Sequence, residues 1–368
     1  MKILRKIRAK APTRIDLSGG TVDIWPIYLF LNRATTINLA IDLYAETEIE
    51  ESSPATGDPL VVLRAEDQGA ELKFPWSAIE SQTPPPALEL HWKYLRYFLE
   101  RKKKAGRFYP TLGLQLSTRA KSPAGAGLGG SSTLSVSIIG ALKVWCDGAV
   151  SIEQDGVHLV EITRDVETTV IKVPAGMQDY YGAMFGGLQS LRWGAGGHDR
   201  QWLSADLIGE LEDRILLFYS GQSRNSGINN WALFKSFIDG QGTVREQFHG
   251  INHSTHLLEK ALGEKDWSSV GNAIASEWEV RRGLAAGITT PEIDRAFTLA
   301  MDKGATAGKI CGAGGGGCFF VYLPEKNPSL RETIIREIGA LPGIRHLPFR
   351  AARKGLQIET VGEEKGAP

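Results

Sequence analysis

Pro123-Ala124-Gly125-Ala126-Gly127-Leu128-Gly129-Gly130-Ser131-Ser132-Thr133 runs directly into an apolar segment. Glycines this closely spaced let the backbone wrap around a ligand, because a Cβ would block the turn or the approach. Hydroxyl residues follow where the first turn of a helix is expected. Amide N–H groups without intrahelical partners and the positive end of the helix dipole meet there, which suits an anion. The stretch reads as a cradle for a polyphosphate.

The flanks supply the context. Leu112, Leu114 and Leu116 alternate with Gly113, Gln115 and Ser117, a strand pattern. Leu134, Ile138, Leu142 and Trp145, supported by Val136, Ile139 and Ala141, predict a buried helix of about three turns. A P-loop is excluded, because no Lys precedes Ser131 or Ser132. Gly125, Gly127 and Gly130 match the dinucleotide pattern G-x-G-x-x-G, and Asp147 lies at a suitable distance for a ribose. Yet Asp147 follows the helix at once, with no second apolar strand to carry it, so the βαβ context is missing. A purely structural turn accounts for some of the glycines but not for the Ser-Ser-Thr beside them.

The 368 residues suffice for about two domains with substantial cores. Hydrophobic residues make up 42% and charged residues 23%, as in an ordinary globular protein. Lys plus Arg and Asp plus Glu each number 42, so no net field favours nucleic acid or an acidic membrane. The basic run Arg101-Lys-Lys-Lys104 reads as a solvated helix end. Cys146, Cys311 and Cys318 are odd in number and lack metal spacing, which predicts free thiols in a reducing compartment. The basic start at Met1–Lys10 has no apolar stretch behind it, so a cytoplasmic protein is expected. His91, His253 and His256 read as surface or packing residues.

Strands dominate the start of the chain. Between Ile37 and Ile49 the odd positions are mostly apolar and the even ones mostly polar, a long half-buried strand. Leu60–Leu63 suggests another, and Pro84-Pro-Pro86 breaks the chain before a helix carrying Trp92, Tyr94, Leu95, Phe98 and Leu99. A polar helix is expected near Ile152–Val170. Gly194-Ala-Gly-Gly197 reads as the connector between halves. Beyond it, strands are expected at Ile215–Tyr219, Cys318–Leu323 and Leu356–Glu359, with helices around Trp231, His256, Trp278 and Phe297. The second glycine cluster, Gly312-Ala-Gly-Gly-Gly316-Gly317, opens into a strand and reads as a second wall of the site, or as a hairpin turn. Lys309 beside it reads as solvated or structural. The chain is α+β, with expected domains at 1–197 and 198–368.

Three segments resemble the signature motifs of the GHMP small-molecule kinases (galactose, homoserine, mevalonate, phosphomevalonate). They are Ala11-Pro-Thr-Arg14-Ile-Asp-Leu-Ser-Gly19-Gly20-Thr-Val-Asp23, the loop from Pro123 to Thr133, and Gly308-Lys-Ile-Cys-Gly312-Ala-Gly-Gly-Gly-Gly317. Within the family the chain is most similar to sugar 1-kinases, heptose 7-phosphate kinases in particular, through Met177–Gly187, Gly221-Gln-Ser-Arg224 and Gly287–Asp294.

The resemblance implies an N-terminal domain like domain 2 of ribosomal protein S5 and a ferredoxin-like C-terminal domain, with the site between them. It implies that amides of Gly125–Ser132 wrap ATP phosphates and that Ser131 and Glu167 hold Mg2+, a hard cation satisfied by few protein oxygens. It implies Asp179 as proton acceptor and Arg14 as its cationic neighbour. Asp23, Gly20, Gly316 and Gly317 are implied on the acceptor side. Phosphoryl transfer asks a protein for positioning and charge stabilisation, which this set supplies. Thr21 and Val22 stand where the heptose kinases read Gly-Thr, and Tyr180 where they read Gln; both changes alter the sugar side. Gly130 replaces a common serine in a loop that binds through amides. A sugar or sugar-phosphate 1-kinase is therefore expected. With D-glycero-D-manno-heptose 7-phosphate as the expected acceptor, the alternatives are a GHMP kinase for another sugar (galactose, fucose or glucuronate) or for mevalonate, or a catalytically silent sugar sensor. Oligomeric state is not legible in the sequence.

Overall fold

The computed structural model describes residues 3–53, 57–106, 108, 110–223 and 226–361, with the side chains of 226–230 left aside. Arg224, part of one quoted segment, lies outside the described residues. The first layer is a sheet with helices packed on it. In chain order it contains β1 (Ile3–Ser18), β2 (Thr35–Ser52), β3 (Leu60–Ala65), β4 (Ala70–Pro75), α1 (Glu89–Lys104), β5 (Gly113–Ala120), α2 (Gly130–Asp147), α3 (Ile152–Ile171), α4 (Gln178–Phe185), β6 (Leu188–Gly194) and β7 (Gly197–Trp202). The chain continues through α5 (Ala205–Arg214), β8 (Ile215–Tyr219), α6 (Ser226–Asp239), α7 (Val244–Glu264), α8 (Trp267–Arg282), α9 (Pro291–Asp302), β9 (Ala307–Ile310), β10 (Cys318–Tyr322), α10 (Pro328–Gly339), β11 (Arg345–His346) and β12 (Gln357–Val361).

Eight strands form one sheet in the order β12-β1-β2-β5-β3-β4, with β6 on β2 and β7 on β6. All its pairs are antiparallel except β3–β5. A four-stranded antiparallel sheet, β11-β8-β10-β9, forms the second layer. The alternation expected from Ile37 to Ile49 belongs to β2, whose first half pairs with β6 and second half with β5.

Two expectations are corrected here. Gly194–Gly197 is the turn of the β6–β7 hairpin, not a connector, so β7 lies in the first sheet. The strand expected near Leu356–Glu359 is β12, and it returns to pair with β1 in that same first sheet. Turn residues are equally compatible with a hairpin and a linker; only the pairing partner separates them.

A register shift on β1 between Pro12 and Thr13 directs the site. Proline cannot donate to a ladder, and irregularities of pairing are where strands tolerate it. Before it, Ile7, Ala9 and Ala11 join the core with α1 and α2. Beyond it, Ile15 and Leu17 join a second core with β8, β10, α7 and α8. The second core makes one packed body of both layers.

Candidate active site

Strand β5, the glycine loop and α2 form the expected strand–loop–helix unit. α2 runs 18 residues, longer than expected, and is buried on almost every side, from Ser132 to Cys146. Gly129 precedes it in the left-handed region (φ 73°), and Gly127 adopts φ 75°. A Cβ on Gly127 would stand 2.3 Å from the Cys311 carbonyl oxygen, so only glycine permits this approach of the two loops. The carbonyls of Ala126, Gly127 and Leu128 are turned into the protein. They accept from the Cys318 N–H (2.7 Å), from Arg14 Nη1 (2.8 Å) and from the Arg14 N–H (3.1 Å). With those carbonyls engaged, the first-turn amides of α2 form the accessible electropositive end. Asp147, which could have met a ribose, is ion-paired with Lys143 at 2.8 Å instead.

Asp179 sits in the first turn of α4. Its Oδ1 accepts from Arg14 Nε (2.8 Å) and Nη2 (2.6 Å), and the Arg14 side chain is only 4% exposed. Burial works against the Arg14 charge, but Asp179 and Asp16 more than offset it and hold the guanidinium protonated. Gly129 completes the contact: a Cβ there would lie 3.0 Å from Asp179 Cγ. The carboxylate thus presses against the residue that opens the phosphate-loop helix.

Ser131 Oγ donates to Glu167 Oε1 at 2.6 Å. Glu167 projects from α3, is buried, and its Oε2 has no hydrogen-bond partner among the described residues. Burial raises its pKa, opposed chiefly by the Ser131 hydroxyl. One hydroxyl and one carboxylate with an unused oxygen are a donor set a hard divalent cation fits.

Asp23 is 2% exposed, and its Oδ2 accepts the Gln178 N–H at 2.9 Å, so it ties the first motif to the start of α4. Burial pushes its carboxyl up to about 6 against that hydrogen bond, with Asp179 and Asp16 adding to the rise. Gly20 lies over Asp16, where a Cβ would meet Oδ2 at 2.2 Å. Gly316 faces Gln222, and Gly317 abuts the Gly125 and Ala126 carbonyls while its N–H donates to Gln222 (2.9 Å). The second glycine cluster is therefore both a β9–β10 hairpin loop and a backing for the first.

Sequence reasoning left out Asp16, Glu277 and Arg281. Lys309 is fully buried, not solvated: its Nζ donates to Asp16 Oδ2 (2.8 Å) and to the Asp16 carbonyl (3.0 Å), with Glu277 Oε1 at 3.6 Å. Lys309 and Arg281 outweigh burial and keep the Asp16 pKa low. Asp16 stands inside a quoted motif, but Glu277 and Arg281 are an ordinary i, i+4 pair with no local signal. Of the histidines, His91 is buried on Thr118 Oγ1 (2.7 Å) and His256 meets the Arg33 carbonyl (2.9 Å).

This geometry coincides with a known family. Residues 89–187 match the GHMP kinases N-terminal domain and residues 258–341 match the GHMP kinases C-terminal domain. The chain belongs to the GHMP kinases. It is 24% identical over 345 residues to a D-glycero-alpha-D-manno-heptose 7-phosphate kinase of Campylobacter jejuni, covering 91% of this chain and 95% of that protein. It is 26% identical over 373 residues to an L-fucokinase/L-fucose-1-P guanylyltransferase of Bacteroides fragilis, covering 95% of this chain but 38% of that protein. A crystal structure of a D-glycero-D-manno-heptose 1-phosphate kinase from Bacteroides thetaiotaomicron superposes with a TM-score of 0.71 at 23% identity, covering 96% and 98% of the two chains. Among the described residues no single helix is long and apolar enough to cross a membrane.

Proposed function

We propose that this protein is an ATP-dependent kinase that phosphorylates the anomeric hydroxyl of a sugar or sugar phosphate, with D-glycero-D-manno-heptose 7-phosphate as the acceptor. The observation that carries the reading is the seat of Asp179. It is ion-paired to Arg14 and lies where a Cβ on Gly129 would be 3.0 Å away, so a proton acceptor stands at the mouth of the phosphate cradle. The kinship with the heptose kinase of Campylobacter jejuni, over nearly the whole of both chains, supports the choice of acceptor.

In the reaction the acceptor oxygen attacks the γ-phosphorus, the bond to the ADP oxygen breaks, and the hydroxyl proton passes to Asp179. Arg14 holds the Asp179 carboxylate in place through its Nε and Nη2 and offsets the negative charge that develops on the transferred group. Amides of Gly125–Ser132 orient the polyphosphate, and Asp23 and Gly20 face the acceptor, with Gly316 and Gly317 backing the loop. Mg2+ would be held by Ser131 Oγ and Glu167 and would supply neutralisation of phosphate charge. Its need is physical: the buried carboxylates Asp16, Asp23, Glu167 and Glu277 outnumber the buried cations Arg14, Arg281 and Lys309 even before a nucleotide arrives, and the part-exposed Asp179 adds to the excess. The two proposed domains, 1–197 and 198–368, exchange strands, because nearly all of β7 and the whole of β12 come from the second segment but pair in the first sheet.

The test is ADP release by the purified protein with heptose 7-phosphate, fucose, galactose, glucuronate and mevalonate, run beside Asp179→Asn. Turnover of the heptose phosphate is expected, with kcat reduced at least ~100-fold and ATP affinity retained in Asp179→Asn. Turnover of mevalonate alone would sink the sugar reading. ATP binding with no turnover of any acceptor would identify a sensor.

A further inference from the structure

The buried charges that the phosphate cradle does not use form a continuous path from the second layer to the first motif. Lys309 on β9 holds Asp16 on β1, and Glu277 on α8 lies against Lys309. Glu277 Oε1 in turn receives Arg281 Nε at 2.8 Å. Arg281 then reaches out of α8: Nη2 donates to the Gly20 carbonyl (2.7 Å), and Nη1 lies 3.4 Å from Thr21 Oγ1. All four side chains are at most 3% exposed.

What Arg281 grips is a turn under constraint. The Val22 N–H donates to the Gly19 carbonyl and the Ile24 N–H to the Thr21 carbonyl, so two tight turns follow in succession. Thr21 is at φ 74°, a left-handed conformation that is unfavourable for a β-branched residue. Such a residue persists only where its surroundings over-determine it. On the far side of the turn Asp23 is fixed by the Gln178 N–H, one residue before Asp179. On the near side Thr36 Oγ1 donates to the Gly19 carbonyl (3.0 Å), and the Arg281 fork holds the next two residues, a planar donor pair suited to keep a carbonyl and a hydroxyl together.

The geometry points to Arg281 as the positioning residue of the acceptor loop: from the second layer it holds Gly20 and Thr21 so that Asp23 is presented beside Asp179. This rests on the reading of the Gly19–Asp23 loop as the acceptor side. Arg281 touches no reacting atom. Its loss is felt by the acceptor and not by the nucleotide, because the cradle at Gly125–Ser132 is fastened by Arg14 and Cys318 instead.

The test uses the full chain with Arg281→Lys, which keeps a cation beside Glu277 but loses the fork, and Thr21→Val, which removes one hydroxyl and leaves the buried charges intact. Two quantities are read: amide hydrogen exchange at Gly19–Ile24, and KM for heptose 7-phosphate against KM for ATP. Arg281→Lys is expected to speed exchange in that loop and raise the acceptor KM about tenfold each, the loss of one charge-assisted hydrogen bond. The ATP KM stays within about twofold, and exchange along α2 is unchanged. Thr21→Val moves the same two quantities about threefold and serves alone if Arg281→Lys does not fold. Unchanged exchange at Gly19–Ile24 overturns the assignment, as does a parallel rise of both KM values, which marks a general structural role. A wild-type protein inert toward heptose 7-phosphate defeats the choice of acceptor; the clamp is then decided by the exchange rates.

Discussion

Asp23, in the loop after β1, and Asp179, on α4, are carboxylates from distant segments, and their environments give them different work. Asp179 has a guanidinium on one oxygen and is a quarter exposed. Asp23 is 2% exposed, its Oδ2 accepts the Gln178 N–H, and burial pushes its pKa up to about 6. A carboxyl whose pKa is higher folded than unfolded binds more protons in the folded state, so stability falls as pH climbs from about 4 to 6. Asp23→Asn keeps an oxygen for the Gln178 N–H and removes the charge. It is expected to stabilise the ligand-free protein by up to about 3 kcal/mol at pH 7.5, the worth of roughly two pKa units, and by nothing near pH 4. Thermal melts of both proteins across that range check it. A gain that persists at pH 4 would mean the charge of Asp23 is not its cause. Asp23 could be found in the sequence through its motif, but its burial could not, because the residues that cover it come from α4 and the loop before it.

At the scale of elements, the unit β5–loop–α2 was legible because every ingredient is local: alternation, closely spaced glycines, then an apolar helix. The contact that braces it was not. Gly127 and Gly312 approach each other from loops far apart in sequence, and a Cβ on Gly127 would enter the Cys311 carbonyl. Gly127→Ala combines a left-handed alanine with a steric overlap, each costing about 1–3 kcal/mol. A loss of about 3 kcal/mol in urea unfolding is expected, with ATP affinity down at least ~10-fold. A mutant that unfolds at the wild-type midpoint would show that the loops can part at no cost. The Gly194–Gly197 turn illustrates the opposite failure. Its composition marks a reversal, yet hairpin and linker use the same residues, and the β6–β7 ladder alone separates them.

Over the whole molecule, the chain crosses between layers more than once. β12 comes from the end of the described chain and seals the β1 edge in register from Lys6 to Lys10, while Leu356 fills the space above Gly140 in α2. Truncation before Leu356 is expected to lower Tm by about 5 °C through loss of that edge ladder and packing, with ATP KM unchanged, since no site residue is touched. A melt that does not move would show the strand to be dispensable; a changed KM would tie it to the site. The amino-acid sequence alone determined the local units: the anion cradle, the three motifs, the α+β class and the residues Arg14, Ser131, Glu167 and Asp179. The cradle and the α+β class follow from nearest-neighbour chemistry and periodicity along the chain, whereas the three motifs and those four residues are legible only through the resemblance to the GHMP kinases. Only the tertiary structure decided that β12 and β7 belong to the first sheet, that Lys309 is buried, and that Arg281 reaches Gly20. For β12, Lys309 and Arg281 the reason is common: which sheet edge, counter-charge or carbonyl a residue meets is set by packing between segments hundreds of residues apart, and a single sequence carries no local mark of it; for β7 the partner is the adjacent β6, and only the ladder itself tells a hairpin from a linker.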